Sequence, residues 1–155
     1  GTAERDAMRL VTVVMGTGSE MARFQETRRL LDAGFENYVL KPLISEDEPL
    51  PGYRKRISVP NGVARDVAIA ADRTLVLPVR KGQEEKYTFR VKYTRQVKAP
   101  LTAGTPVAKV YVLYDGKEIP GVKPARLVVR ESVEEASWIR LFFRKLGDTI
   151  SSWID

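Results

Sequence analysis

The chain has 155 residues, 43% hydrophobic and 30% charged, with a formal net charge of +6; that balance suits a globular chain of one or two small domains. Cysteine and histidine are absent, which excludes disulfides, thiol nucleophiles, zinc sites built on Cys or His, and every histidine-dependent triad. No apolar run is long enough to span a bilayer as a helix, and the polar residues 1–6 are not a secretory signal peptide.

Residues 7–15 are nearly continuous apolar and β-branched, the pattern of a strand covered on both faces. A turn over residues 16–19 follows. Thr17 and Glu20 have the spacing of a capping box, so a helix is expected to start there. Met21, Phe24, Leu31 and Phe35 fall on one helical stripe, and Glu20/Arg23, Glu26/Arg29 and Arg28/Asp32 are spaced to pair on its outside. Gly34 is placed to end the helix in a left-handed conformation. One strand and one amphipathic helix bury too little to stand alone, so residues 7–36 read as the edge of something larger.

From Asn37 the character changes. Residues 45–56, with Pro49, Pro51 and Gly52, read as a loop or bend. Short strand patterns then recur. Residues 73–79 put Leu75, Leu77 and Val79 on one side. Residues 87–93 alternate, with Tyr87, Phe89, Val91 and Tyr93 inward and Thr88, Arg90 and Lys92 outward. Residues 107–114 and 125–130 are the remaining strands. Asp115-Gly116 is a tight hairpin turn, and Asn61-Gly62 a second candidate. The fold class expected is mainly β: a β-sandwich, preceded by a strand and helix and followed by a C-terminal helix.

Residues 80–98 carry seven basic side chains (Arg80, Lys81, Lys86, Arg90, Lys92, Arg95, Lys98) against Glu84 and Glu85. This is either the solvated face of a strand or a surface for an anionic partner. A nucleic-acid platform wants aromatics and cations on one exposed face. Strict alternation opposes them here, so no nucleic-acid partner is expected. The acidic run Glu46, Asp47 and Glu48 reads as loop solvation.

Residues 132–155 are expected to be helical, with Ser132 and Glu135 as a capping box. Ile139, Phe142, Phe143, Leu146, Ile150 and Trp153 lie along one face, and Arg140, Arg144, Lys145 and Asp148 elsewhere. One reading lays this helix in a membrane interface, with Trp138 and Trp153 at the boundary and Arg140, Arg144 and Lys145 meeting lipid phosphates. The other makes it a packing helix or dimer contact. Its three basic and four acidic residues weigh against the membrane; its apolar density weighs for it.

Three segments in order carry a resemblance. Residues 5–16 with the helix containing Arg28-Arg29-Leu30-Leu31-Asp32-Ala33-Gly34-Phe35 come first. Leu77-Pro78-Val79-Arg80-Lys81-Gly82-Gln83, Lys98-Ala99-Pro100-Leu101 and Val112-Leu113-Tyr114-Asp115-Gly116-Lys117 follow. The terminal amphipathic helix closes the set. Together they resemble the C-terminal part of the D-alanyl-D-alanine carboxypeptidases, the low-molecular-mass penicillin-binding proteins. The resemblance implies that residues 1–37 are the last strand and helix of a peptidase domain and residues 38–131 its β-rich second domain. Residues 132–155 would then be an amphipathic membrane anchor, its contacts being Trp138, Ile139, Phe142, Phe143, Arg144, Lys145, Leu146, Ile150 and Trp153.

The same resemblance implies a parent enzyme outside the cytoplasmic membrane that removes the terminal D-Ala of peptidoglycan pentapeptides through an acyl-enzyme. That chemistry needs Ser-x-x-Lys, Ser-x-Asn and Lys-Thr-Gly elements. None occurs: the residues three after Ser19, Ser45, Ser58, Ser132, Ser137, Ser151 and Ser152 are Ala, Glu, Asn, Glu, Arg, Ile and Asp. No catalytic, cofactor-binding or metal-binding residue is therefore assigned, and the chain reads as a stalk and anchor separated from its catalytic part. The expected partners are the membrane surface, the peptidase portion of the same protein, and a second copy pairing through the uncovered residues 7–36. The rival reading is a stand-alone β-sandwich module that binds an anionic wall polymer or a protein through residues 80–98.

Overall fold

The computed structural model describes residues 1–94 and 97–139. The N-terminal strand is shorter than expected and has a partner. Asp6 and Ala7 both take positive φ, 48° and 61°, the geometry of a tight hairpin turn. Strand β1 (Thr2–Arg5) therefore folds back on β2 (Met8–Val11), with Arg5 opposite Met8 and Thr2 opposite Val11. The polar residues at the start are thus a strand; Thr12 extends the pairing by exchanging backbone hydrogen bonds with Gly1, each at 2.8 Å, and residues 13–15 lie outside it.

Helix α1 (Glu20–Asn37) is capped by Ser19 rather than Thr17: the Ser19 hydroxyl accepts from the Ala22 N–H at 3.1 Å, while Thr17 donates to the Ser19 carbonyl. The three expected ion pairs form on its exposed side, each contributing a few tenths of a kcal/mol, about 0.3. Gly34 does not end the helix. It lies inside it, where a Cβ would stand 2.5 Å from Leu10 Cδ1, so it lets the helix approach β2. Only Phe35 of the helix is buried.

β3 (Tyr38–Ile44) starts at once and pairs antiparallel with β6 (Leu75–Arg80). The larger sheet runs in the order β4 (Arg56–Ser58), β5 (Asp66–Ala71), β10 (Ala125–Val129), β8 (Pro106–Tyr114), β7 (Tyr87–Tyr93), with β9 (Lys117–Glu118) also on β8. Ile44 of the small sheet and Val67, Ile69, Val110, Val112, Leu127 and Val129 of the large one share a single core, with Leu75 and Leu77 packed on it. The protein is therefore mainly β, as expected. Leu75, Leu77, Val79, Tyr87, Phe89 and Val91 point inward as the alternation requires. Tyr93 does not: it is exposed, under the Arg54 guanidinium at 5.8 Å.

Asp115 and Gly116, φ 51° and 75°, make the expected β8–β9 turn. Asn61-Gly62 is no two-residue turn; residues 59–65 together join β4 to β5. The expected helix start at Ser132 is also corrected. The segment after β10 stays extended: Val133 exchanges backbone bonds with Leu101, Ala136 N–H donates to the Asn61 carbonyl, and the Ser132 hydroxyl accepts from Ala103 instead of capping a helix. Val133 and Ala136 are buried, and this burial outweighs the local helix signal. Helical structure begins at Trp138 and Ile139.

Candidate functional site

The strands place two different surfaces at opposite ends of the β domain. At the first end the N-terminal unit is seated by polar contacts. The Asn37 carbonyl accepts from the Lys81 N–H at 2.9 Å, and Lys81 Nζ donates to the Phe35 carbonyl at 3.1 Å. The Arg5 guanidinium stacks 4.6 Å from the Phe35 ring centroid and pairs with Asp32 at 2.7 Å. A cleft of about 410 Å³ opens between Arg5, Met8, Phe35, Tyr38 and Lys81. Close by, Lys41 pairs with Glu84 at 2.9 Å, and that hydrogen bond holds the Glu84 carboxyl below its usual range. The β8–β9 turn lies at the same end, because the Asp115 N–H donates to the Lys86 carbonyl.

This end leaves apolar side chains bare. Val11, Val13, Met15, Met21, Phe24 and Leu30 are exposed, Met15 to 84%. The helical stripe read from the sequence is thus split. Phe35 is buried, whereas Met21 and Phe24, about three to four turns earlier, are exposed.

At the other end Thr94 N–H donates to the Val107 carbonyl and Gly104 N–H to that of Val129. Here the chain passes through Val133 to Trp138 and Ile139, which are 75% and 49% exposed. β8 connects the two ends; its nine residues span roughly 27 Å. Of the residues assigned to a membrane contact, Trp138 and Ile139 stand free at this end. Phe142, Phe143, Arg144, Lys145, Leu146, Ile150 and Trp153 lie outside the described residues.

Members of the basic run 80–98 meet different surroundings. Lys81 turns to the helix end, Arg90 pairs with Glu118, and Lys92 lies over the Tyr111 ring; Arg95 lies outside the described residues. Asp47 pairs with Arg130, which closes its loop onto the end of β10. Among the described residues no cluster of acidic side chains could hold a metal ion, and no helix is long and apolar enough to cross a membrane.

The comparisons agree with this architecture. Residues 38–135 match the family described as the penicillin-binding protein 5 C-terminal domain, whose end coincides with the extended segment through Glu135. The D-alanyl-D-alanine carboxypeptidase DacA of Haemophilus influenzae is 30% identical over 91% of this chain and 33% of its own length. DacC of Escherichia coli is 28% identical over 96% of this chain and 35% of its own. The crystal structure of penicillin binding protein 5 from Haemophilus influenzae superposes with a TM-score of 0.63 at 27% identity, covering 86% of this chain and 38% of that one. The chain spans about a third of the length of the curated relatives it matches. It belongs to the penicillin-binding protein 5 C-terminal domain family and is similar to the C-terminal part of D-alanyl-D-alanine carboxypeptidases.

Proposed function

We propose that this chain is the stalk of a serine-type D-alanyl-D-alanine carboxypeptidase: it carries the peptidase portion at one end and meets the outer face of the cytoplasmic membrane at the other. The observation that carries the reading is the opposition of the two ends. The bare apolar surface of Val11, Met15, Met21 and Phe24 and the exit at Trp138 lie at opposite ends of β8. A rigid two-sheet domain between them holds a catalytic portion at a set height. The names of the relatives supply the reaction, carboxypeptidase hydrolysis of a D-alanyl-D-alanine terminus. Its nucleophile and bases belong to the peptidase portion, which covers the apolar surface of residues 7–36. The terminal segment from Trp138 onward lies in the lipid interface through Phe142, Phe143, Leu146, Ile150 and Trp153, with Arg144 and Lys145 toward lipid phosphates.

Flotation on anionic vesicles tests this with the full chain and with a Phe142→Glu, Phe143→Glu double variant, which leaves the buried Val133 and Ala136 intact. The parent floats, and still floats at high salt, while the variant stays in solution. Equal behaviour of the two chains, floating or not, sinks the anchor.

A further inference from the structure

The large sheet assembles a row of cations from three strands. The β7–β8 register sets Lys92 directly opposite Lys109, and the β8–β10 register sets Lys109 directly opposite Arg126. All three side chains are exposed on the outer face, since their neighbours Val91, Val110, Ala125 and Leu127 point inward. Adjacent strands are about 4.8 Å apart, so the row spans roughly 10 Å.

Like charges directly opposite in a ladder are destabilising. No carboxylate relieves this pair: among the described residues neither Lys92 nor Lys109 makes an ion pair. Instead the surroundings hold the cations in place. Lys92 Nζ lies 5.4 Å from the Tyr111 ring centroid, and Arg90, which pairs with Glu118, lies 5.2 Å from the same ring. Asp72 accepts from Arg126 Nε at 2.7 Å and from its backbone N–H at 2.9 Å. That grip uses only one guanidinium nitrogen. The two terminal nitrogens remain presented on a side chain 58% exposed. Lys92, Tyr93, Thr94, Pro106, Lys109 and Arg126 line one open cleft of about 370 Å³.

We infer that Lys92, Lys109 and Arg126 bind a soluble linear polyanion of repeated phosphate groups. A ladder of three cations at regular spacing suits a chain of regularly repeated charges. Stacking of nucleic-acid bases needs a free aromatic face; Tyr93 at the cleft edge lies under the Arg54 guanidinium, and Tyr111 is half-buried with Arg90 and Lys92 beside its ring. Membrane phosphate is the remaining source. Lys109 stands three residues above Pro106, roughly 10 Å up the strand, and residues 97–105 and Trp138 lie below it. On the stalk reading, the row is lifted clear of the headgroups.

The test is fluorescence anisotropy of labelled inorganic polyphosphate with the full chain. Lys92→Gln and Lys109→Gln should each weaken binding about 3- to 10-fold and lower the salt slope by about 1. Lys109→Gln should not lower the thermal midpoint, because it removes a like-charge opposition; Lys92→Gln removes the same opposition together with the Tyr111 contact. Lys117→Gln, exposed on β9 opposite Tyr114 at the far end of β8 from the row, should bind as the parent does. Parent-like binding by both row variants, or equal weakening by Lys117→Gln, overturns the site. Orthophosphate competing as well per phosphate overturns the polymer. Phosphatidylglycerol vesicles that displace polyphosphate and lose the chain on Lys109→Gln overturn the soluble source while leaving the anchor reading, which depends on Phe142 and Phe143, untouched.

Discussion

Asn61 grips the backbone of Ala99 from both sides: its Nδ2 donates to the Ala99 carbonyl and its Oδ1 accepts from the Ala99 N–H, each at 2.9 Å. Its own carbonyl accepts from the Ala136 N–H at 2.9 Å. One residue therefore ties the β4–β5 loop, the segment before β8 and the exit of the chain into one end of the domain. Gly62 beside it permits the packing, since a Cβ there would stand 2.6 Å from Val133 Cγ1 and 2.8 Å from the Ala64 carbonyl.

Asn61→Ala should cost about 2–3 kcal/mol, because it leaves both polar groups of the buried Ala99 without their partner. Asn61→Asp keeps the acceptor but turns a carboxylate oxygen toward the Ala99 carbonyl and Glu135 Oε1, to both of which Nδ2 donates, and should cost at least as much. Urea unfolding midpoints measure both. A parent-like midpoint for Asn61→Ala would show that this bridge contributes nothing to stability.

Asp72 gives the protein an acid-side dependence. Burial opposes its ionisation, with its side chain only 14% exposed. The hydrogen bonds from the Arg126 N–H and guanidinium outweigh that, helped by Arg73, and hold the carboxyl below its ordinary 3.8. A depressed folded-state pKa means stabilisation that is fully present above the ordinary value and lost as pH falls through the folded one. Asp72→Asn should therefore be less stable than the parent by about 1 kcal/mol near neutral pH. The gap should begin to close as pH drops below the ordinary value and vanish at the acid end. A gap independent of pH would assign the loss to packing instead.

The bare surface at the N-terminal end predicts self-association when no peptidase portion covers it. β2 has a ladder partner on one side only among the described residues, and an uncovered apolar edge recruits another chain. Sedimentation should show a mass that rises with concentration, and Val13→Lys with Phe24→Glu should return it to one chain. A parent monomeric at every concentration removes the idea.

What the residues determine alone is the local grammar. Alternation placed Leu75, Leu77, Val79, Tyr87, Phe89 and Val91 on the core side, and Asp115-Gly116 marked its turn, because period and turn chemistry act over a few residues. β5 was illegible for the converse reason: its Ala68, Ala70 and Ala71 have low strand propensity and are held in the sheet by β4 and β10. Long-range packing likewise overrode local signals at Ser132, where burial of Val133 and Ala136 draws the segment out straight, and at Gly34, where closeness to Leu10 rather than a helix end requires the glycine. The row of Lys92, Lys109 and Arg126 belongs wholly to the tertiary structure. Strand register between distant segments aligns it, and no periodicity along the chain encodes which residue will stand opposite which.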